Sequence, residues 1–407
     1  MVSQLSTHSA NHHYSAAIAF FLAIPISVLL IECLAALLPS RKPTDSPDPP
    51  TPKLAVLMPA HNEALGIRPV LEAILPQLSD LDRLVVVADN CTDETATIAR
   101  STGAIVTERQ DSVRRGKGYA LDYGVRFLAA DPPDVVVIVD ADCLVEQGTL
   151  DRVARKAVTT GRPIQSLYLM EQPANPQPKD AVSALAFMVK NLVRPRGLEY
   201  LGMPCPLTGT GMAFPWAILQ KASLASGNIV EDMQLGIDLA IAGTPPAFCS
   251  ESKVIGLLPQ QEQAAKSQRT RWEHGHLQTL LTQVPKLLKA SIQQRRLDLL
   301  AIALDFSIPP LSLLVMIWLT MMGLAITARF LEVSALPMLI FTGEGILMAI
   351  AILSAWAKFG RAELPAKTLL AIPFYLLWKI PLYLAFIVKP QTKWVRTERD
   401  AVNAPPS

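Results

Sequence analysis

The sequence predicts an α/β fold in which a mostly parallel sheet is flanked by helices, with transmembrane helices before and after it in the chain. Short β-branched runs alternate with helix-like apolar spacing over residues 54–280. Long apolar segments lie on both sides of that region. Hydrophobic residues make up 50% of the chain and charged residues only 18%, whereas about a quarter charged is typical of soluble proteins. The composition therefore indicates a membrane protein.

Charge and cysteine content exclude several kinds of partner and site. The net charge of +2 over 407 residues provides no basic field, so we expect no nucleic-acid partner. The five cysteines are scattered, odd in number and without a Cys-x-x-Cys pair: Cys33, Cys91, Cys143, Cys205 and Cys249. This pattern argues against a disulfide framework and against a zinc site, and it fits a reducing cytoplasm.

The N-terminal segment, residues 1–39, is predicted to contain a transmembrane helix. Residues 16–38 are largely apolar and exceed the roughly 20 residues needed to cross a bilayer. A cleaved signal peptide is the alternative, but no Lys or Arg precedes the run. Arg41 and Lys42 follow it and place the next segment in the cytoplasm. Residues 40–53 are rich in proline and aspartate and are predicted to be a linker.

A β/α alternation then defines a predicted cytoplasmic domain over residues 54–280. Strands are predicted at 54–58, 83–88, 104–107 and 135–139, and helices at 66–78, from about 93 to 100, and at 119–129. Polar residues that follow the strands should converge, because open α/β sheets bind ligands at the carboxyl ends of their strands. These residues are Glu63, Asp89, Lys117, Asp140 and Asp142. Their joint spacing favours a nucleotide-type site over isolated helix-start and loop residues.

The run Val135–Val139 ends in Asp140-Ala141-Asp142 and predicts the metal site. Five β-branched apolar residues indicate a strand buried on both faces. Alternation along a strand puts residues i and i+2 on one side, so Asp140 and Asp142 can meet beyond its end. Two hard oxygen ligands suit Mg²⁺ or Mn²⁺, which also binds phosphate oxygens. A polar turn that caps the strand is the alternative for a lone Asp-x-Asp motif.

Six motifs in this order resemble those of the family 2 glycosyltransferases, whose catalytic domain has the GT-A fold. The motifs are Pro59-Ala-His-Asn-Glu63, Ala88-Asp-Asn-Cys-Thr-Asp93, Gly116-Lys-Gly-Tyr-Ala-Leu121, Asp140-Ala-Asp142, Glu231-Asp232 and Gln268-Arg-Thr-Arg-Trp272. They span about residues 54–275. The sequence departs from the commoner family pattern at two positions, with Ala88 where a second Asp often stands and His61 where Tyr is frequent.

The resemblance implies a role for each nucleotide-site residue. Ala60, Glu63, Asp89 and Lys117 are expected to hold the nucleotide of a nucleotide-sugar donor. Asp140 is expected near the base and phosphates, and Asp142 is expected to ligate Mg²⁺ or Mn²⁺. The residues expected to contact the sugar or acceptor are Thr208, Gly209, Thr210, Glu231, Gln268 and Trp272. For Thr208-Gly-Thr-Gly211, a simple turn between sheet and helix is the alternative.

The resemblance assigns the general base to Asp232, which stands at the start of a predicted helix over 233–242. An inverting sugar transfer needs one carboxylate to accept the proton of the attacking hydroxyl. Acidic residues are also ordinary in a first helical turn, so helix capping is the alternative. No second catalytic carboxylate is required, because the metal and cations stabilise the leaving diphosphate.

Gln268, Arg271 and Trp272 occupy one face of a predicted helix, at spacings of three and four residues. Arg271 can neutralise the diphosphate and Trp272 can form an apolar wall for the acceptor. An interfacial membrane anchor is the alternative for such basic and aromatic residues. His274 and His276 point to different faces of a helix, so we expect no metal there.

The C-terminal part is predicted to be membrane-embedded. Residues 281–299 are basic and amphipathic and suit a helix on the membrane surface. Residues 300–390 contain three apolar segments at about 300–328, 336–357 and 366–388, before a tail at 391–407. The basic link after the second segment and the basic tail both indicate the cytoplasm. The third segment is therefore re-entrant, or the number of spans differs.

These observations predict a metal-dependent inverting glycosyltransferase, integral to a bacterial-type inner or plasma membrane, with a cytoplasmic catalytic domain. The donor is a nucleotide-diphosphate sugar, most consistent with a UDP-sugar, and membrane lipids surround the apolar segments. The acceptor is a polysaccharide or a lipid, because Gln-x-x-Arg-Trp is shared by polymer synthases and by glycolipid-forming enzymes such as ceramide glucosyltransferases. Export proteins are possible partners. A non-catalytic nucleotide-binding scaffold and a nucleotidyltransferase are the more remote alternatives.

Overall fold

The computed structural model describes residues 21–39, 51–172, 177–226, 230–257, 262–331, 335–361 and 364–390. The start of the predicted first transmembrane helix, residues 16–20, lies outside the described residues. So do most of the predicted linker, residues 40–50, and the predicted tail, residues 391–407.

Within the described residues, eight strands form one mixed sheet. The strands are β1 (Leu54–Ala60), β2 (Arg83–Asp89), β3 (Ile105–Arg109), β4 (Val135–Ile138), β5 (Cys143–Val145), β6 (Ile164–Glu171), β7 (Met212–Pro215) and β8 (Ala247–Leu257). Their spatial order is β3-β2-β1-β4-β7-β6-β8-β5. The first four in space are mutually parallel, whereas β7 runs antiparallel to both β4 and β6. The carboxyl ends of β1, β2 and β4 therefore share one edge.

The described helices are numbered in chain order. They are α1 (Phe21–Leu37), α2 (Ile67–Ile74), α3 (Thr95–Ser101), α4 (Lys117–Leu128), α5 (Thr149–Thr160), α6 (Pro178–Met188), α7 (Arg194–Tyr200), α8 (Trp216–Leu219), α9 (Glu231–Ile241), α10 (Glu262–Gln294), α11 (Leu297–Phe306), α12 (Leu311–Phe330), α13 (Leu336–Ala355) and α14 (Ile372–Val388). A π-helical turn at Val189–Val193, called the π-turn below, joins α6 to α7 without a break.

The sheet is covered on both faces, which explains the continuous apolar strands. Every residue of β4 is buried. Helices α2 and α5 pack on one face through side chains such as Leu71 and Val153. Helices α4 and α9 pack on the other through side chains such as Leu121 and Leu235. A strand that is buried on both faces favours apolar residues at every position and not only at alternate ones. The predicted α/β fold with a mostly parallel, helix-flanked sheet is confirmed.

The chain after the sheet differs from the prediction in its helix boundaries. Helix α10 runs unbroken to Gln294, so the amphipathic segment predicted at 281–299 is not a separate helix. The break falls at Arg295, whose φ of 52° lies in the left-handed region that ends an α-helix. Leu287, predicted to face the membrane surface, is buried against α9 and α11. Leu288, Ile292 and Leu297 are exposed in contrast, so only part of the apolar face of this segment packs on protein.

The predicted apolar segment at 300–328 consists of two helices, α11 and α12. Pro309 and Pro310 lie between them, and proline both lacks an amide N–H and disfavours helix in the preceding residue. Helix α11 is amphipathic in its packing, with Leu299, Ile302 and Phe306 buried against the catalytic domain. Only α12 continues as a long apolar helix.

Three helical stretches of the described chain are long and apolar enough to cross a membrane: Leu311–Phe330, Leu336–Gly360 and Ala366–Val388. Helix α1 is apolar but shorter over its described part, Phe21–Leu37. It packs with α6, α12 and α13 in one apolar cluster. By length and composition, α12, α13 and α14 are suited to a membrane, and together with the apolar helix α1 they are called the membrane-facing helices below.

Arg194, the first residue of α7, ties the membrane-facing helix α1 to α11. Its Nε donates to Glu32 Oε2 of α1 at 3.0 Å, and its Nη2 donates to Asp305 Oδ1 of α11 at 2.6 Å. All three side chains are buried. A Cβ atom at Gly197, one turn later, would overlap the carbonyl oxygen of Glu32, so glycine allows α1 and α7 to approach closely.

Candidate active site

A cavity of about 350 Å³ opens at the carboxyl ends of β1, β2 and β4 and extends to the membrane-facing helices. Nearly all of the residues predicted for the site line it. They are Ala60, Glu63, Asp89, Lys117, Asp140, Asp142, Thr208, Gly209, Glu231, Asp232, Gln268, Arg271 and Trp272. Thr210 is the exception. It is fully buried, and its Oγ1 accepts the backbone N–H of Asp140 at 3.1 Å, so it supports the metal-site loop from behind.

The end of the cavity near β1 and β2 is built around Asp89. Its carboxylate pairs with Arg109 Nη1 at 2.5 Å, and both side chains are buried. Its carbonyl oxygen accepts a hydrogen bond from His61 Nδ1 at 2.7 Å. Arg109 was not predicted. It ends β3, which was expected to stop at Thr107, and it lies directly beside Asp89 in the β2–β3 register.

Glu63 enters this end of the cavity from the loop after β1. Its backbone N–H donates to Thr95 Oγ1 at 2.8 Å, and its carbonyl oxygen accepts from the N–H of Ile67 at 2.9 Å. The first contact fixes the loop to α3, and the second starts α2. Acidic and polar groups therefore gather at this end of the cavity.

The predicted metal ligands lie together at the end of β4. Donor atoms of Asp140, Asp142 and Cys143 all lie within 4.8 Å of one another. Burial raises the pKa of the Cys143 thiol to about 12, and a cysteine sulfur is a soft ligand whereas carboxylate oxygens are hard. The two carboxylates remain, and they fit a hard divalent cation such as Mg²⁺ or Mn²⁺.

Lys117, the first residue of α4, links the metal site to the next loop. Its ammonium forms an ion pair with Asp140 and donates to the carbonyl oxygen of Gly209 at 2.7 Å. Burial opposes its charge, but the carboxylates of Asp140 and Glu231 outweigh that effect and raise the pKa of Lys117. A positive charge is thus held in the lining of the cavity.

Asp232 faces this charge from the start of α9. Gly209 adopts a φ of +94°, and a Cβ atom there would lie 3.3 Å from Asp232 Oδ2 and 3.7 Å from Lys117 Nζ. Burial raises the pKa of Asp232, while Lys117 opposes that rise. Burial also raises the pKa of its neighbour Glu231 to about 7. Carboxylates with raised pKa values are stronger bases than ordinary surface carboxylates.

Helix α10 carries the other predicted residues along one side of the cavity. The ring centroid of Trp272 lies 5.8 Å from that of Phe187, which stands edge-on to Tyr168 at 5.3 Å. These rings form an aromatic wall. His274 and His276 each donate to a backbone carbonyl oxygen, of Leu382 and Ile308 respectively, at 3.0 Å. They therefore hold α10 against the membrane-facing helices.

The π-turn supplies cavity residues that were not predicted, Lys190 and Asn191. Both lie near the end of the helix that the sequence predicts over residues 181–192, and their polarity between apolar residues was the available signal. Single π-helical turns are frequent at functional sites because the extra residue redirects side chains. Burial lowers the pKa of Lys190, while the Asp232 carboxylate favours its charged form.

Comparison with known proteins gives a family for this arrangement. The family described as "Glycosyltransferase like family 2" matches residues 50–275. Glucosyl-3-phosphoglycerate synthase of Mycobacterium tuberculosis is 38% identical over 97 residues, which are 22% of this chain and 29% of that protein. The low-salt glycan biosynthesis hexosyltransferase Agl6 of Haloferax volcanii is 39% identical over 94 residues, 23% of this chain and 21% of that protein. The chain thus spans less than a third of either relative.

Among solved structures, the mannosyltransferase PcManGT of Pyrobaculum calidifontis, in complex with GDP-Man and Mn²⁺, is 21% identical with a TM-score of 0.48. The superposition covers 83% of this chain and 99% of that chain. The family match covers more than half of the present chain and contains the sheet, the paired aspartates and the start of α10. The chain therefore belongs to the family described as "Glycosyltransferase like family 2".

Proposed function

We propose that this protein transfers a sugar, with inversion, from a nucleotide-diphosphate sugar to an acceptor hydroxyl at the cytoplasmic face of a bacterial-type inner membrane. The acceptor belongs to a lipid or a polysaccharide. The observation that carries the proposal is the position of Asp232. Its carboxylate stands beside Gly209 and Lys117 in the same cavity as Asp140 and Asp142.

The donor occupies the end of the cavity near β1, β2 and β4. Glu63 and the Asp89 loop offer hydrogen-bonding groups for a base and ribose, and the family resemblance favours uridine. Asp140 and Asp142 would hold Mg²⁺ or Mn²⁺, which when bound supplies Lewis-acid neutralisation of the diphosphate. Lys117 and Arg271 line the same cavity and add positive charge for the diphosphate.

Asp232 performs the proton transfer. The acceptor oxygen attacks the anomeric carbon, its proton passes to the Asp232 carboxylate, and the bond from the sugar to the diphosphate breaks. The electron pair of that bond leaves with the nucleoside diphosphate. A single displacement of this kind inverts the anomeric centre. Lys117 and Arg271 stabilise the leaving group, because its negative charge grows as the bond breaks.

The helix contacts favour three spans, α1, α12 and α13, with α14 lying along the catalytic domain. Helix α12 starts at the cavity, and the π-helical end of α13 returns to α6, where a Cβ atom at Gly360 would lie 3.2 Å from Met188. Helix α14 contacts α10 through Lys379 and Leu382 and the first turn of α12 through Tyr383. The basic link after α13 and the basic tail are then both cytoplasmic.

The proposal is tested with purified protein in nanodiscs, labelled UDP-, GDP- and dTDP-sugars, and Mg²⁺ or Mn²⁺. We expect release of a nucleoside diphosphate and a product whose anomeric configuration, measured by NMR, is opposite to that of the donor. A nucleotidyltransferase would instead release pyrophosphate, and a scaffold would bind nucleotide without releasing any product. Retention of configuration would exclude the single displacement at Asp232.

A further inference from the structure

The cavity does not end at Asp232 but continues to the membrane-facing helices. Beyond the π-turn it is lined by Leu29 of α1, Pro310 and Leu311 at the start of α12, and Tyr375 of α14. Ala184 and Phe187 of α6 close its side. The catalytic carboxylates are thus joined, through one continuous space, to an apolar lobe at the base of the membrane helices.

Polar atoms without partners stand between the carboxylates and this apolar lobe. Asn191 is 4% exposed and Gln268 is 7% exposed, and both line the cavity. Asn191 Oδ1, Gln268 Oε1 and Thr208 Oγ1 have no hydrogen-bond partner among the described residues. A buried polar atom without a hydrogen-bond partner destabilises the folded protein, because it has lost its hydration and gained nothing in return. Several such atoms around one cavity indicate a ligand that completes their hydrogen bonds.

The charges around this junction favour an uncharged ligand. The Arg194 guanidinium is paired with both Glu32 and Asp305, so it has no positive charge in excess. Arg269 is likewise paired with Asp180 at 3.0 Å. Lys190 makes no ion pair within 4 Å in the described chain, but it interacts electrostatically with Asp232. Among the described cations that line the cavity, Lys190, Arg271 and Arg115 make no ion pair within 4 Å, and Arg271 is assigned above to the donor diphosphate. A phosphate placed at the π-turn would lie close to the carboxylates of Glu231 and Asp232, and Lys190 is the unpaired cation of the π-turn itself.

We propose that the π-turn and the apolar lobe form an acceptor site for a membrane lipid with an uncharged, hydroxyl-bearing headgroup. This inference rests on the proposed glycosyl transfer and specifies its acceptor. Asn191 and Gln268 bind the headgroup, and the lobe beside Leu311 and Tyr375 takes the start of the acyl chains. The lipid hydroxyl is thereby presented to Asp232 from the membrane side, opposite the donor.

The test uses full-length protein in phosphatidylcholine nanodiscs that contain diacylglycerol, ceramide or undecaprenyl phosphate, with a soluble oligosaccharide as a fourth acceptor. UDP release and transfer of labelled sugar into the lipid phase are measured together. Two variants probe the site. Asn191→Leu removes the amide at nearly constant volume, and Ala184→Trp fills the lobe. Lys289→Ala on the exposed face of α10 is the matched control, because Lys289 does not line the cavity.

We expect transfer to diacylglycerol or ceramide. In Asn191→Leu the apparent KM for the lipid should rise at least tenfold, while the Kd for UDP-sugar stays within twofold. Ala184→Trp should abolish lipid transfer but retain donor binding, which shows that the protein is folded, and Lys289→Ala should behave as wild type. Transfer only to undecaprenyl phosphate or to the oligosaccharide would overturn the acceptor site, as would unchanged lipid kinetics in both variants. Failure of the wild type to bind or cleave any nucleotide sugar would instead overturn the proposed function, and the acceptor site with it.

Discussion

Lys379 of α14 and Glu273 of α10 form an ion pair directly beside the aromatic wall at Trp272. The Lys379 side chain is fully buried, and its ammonium lies 5.4 Å from the ring centroid of Tyr375. Glu273 Oε2 has no hydrogen-bond partner within the described chain. One of the membrane-facing helices is therefore fastened to the helix that carries Arg271 and Trp272.

Removing one partner of this ion pair should destabilise the protein more than removing both partners together. Lys379→Met leaves the Glu273 carboxylate, whose side chain is 18% exposed, without its partner, and the cost should lie below the about 3–5 kcal/mol typical of a fully buried charge. The double variant Glu273→Gln/Lys379→Met removes both charges and should recover much of the Tm in detergent. Lys389→Met, at the exposed end of α14, is the control. Equal Tm values for the single and double variants would show that the pair contributes no stability.

Asp142→Asn should abolish sugar transfer and weaken metal-dependent donor binding while the fold is retained. The amide carries no negative charge, so the site loses one of its two hard anionic ligands. Donor binding is measured by calorimetry with Mn²⁺ and with EDTA. The matched control is Asp151→Asn, on the exposed side of α5, which should retain both properties. Normal turnover of Asp142→Asn at low Mn²⁺ would contradict its assignment as a ligand.

Asp232→Asn should separate chemistry from binding. A general base acts only when the hydroxyl attacks, so turnover should fall by about a hundredfold or more while UDP-sugar affinity stays nearly unchanged. Arg271→Ala should lower both, because its charge opposes a diphosphate that is already present in the bound donor. Calorimetry measures the affinity for UDP-sugar and UDP release measures turnover, so together they distinguish the two variants. Loss of donor binding with normal saturated turnover in Asp232→Asn would make it a donor-site residue.

The rate should depend on pH through the buried carboxylates of α9. Burial raises the pKa of Glu231 to about 7 and raises that of Asp232 above its ordinary range. A general base must be unprotonated, so turnover should fall as pH decreases toward the raised pKa of Asp232, at a higher pH than an ordinary aspartate would give. Glu231→Gln removes a neighbouring negative charge, which lowers the pKa of Asp232 and should move the fall to lower pH. An unshifted pH–rate profile in Glu231→Gln would exclude electrostatic coupling between Glu231 and Asp232. Complete inactivity of that variant would make Glu231 the candidate base.

The proposed topology places both ends of α14 on the cytoplasmic side. Single cysteines are introduced by Arg361→Cys, Lys389→Cys and Arg329→Cys, and mass-tagged in sealed vesicles of either orientation. Tagging at 361 and 389 should occur from the face on which the catalytic domain lies, and tagging at 329, the far end of α12, from the other. The parent protein gives the background from Cys91, which is partly exposed on the catalytic domain. Tagging at 389 from the same face as 329 would show that α14 spans the membrane.

The parts of the site that were predicted from sequence depend on local patterns. The β-branched run of β4 and the spacing of Asp140 and Asp142 are properties of adjacent residues, and strand ends in a parallel sheet meet by geometry. Motif order then supplied Lys117, Asp232 and Arg271. The same reasoning did not find Arg109, because its partner Asp89 is fixed only by the register of β3 on β2.

By itself, the sequence determined that the chain has a helix-flanked, mostly parallel sheet, paired carboxylates at its edge and apolar helices in its C-terminal part. The period of the hydrophobic residues and the polar residues at strand ends are local features of the sequence. They can therefore be recognised without knowing how the elements pack. Only the tertiary structure decided that Thr210 lies behind Asp140, that α10 runs on through residue 280, and that Lys190 and Asn191 of the π-turn enter the cavity. Those outcomes depend on how elements distant in the chain pack against one another, and no local pattern encodes that packing.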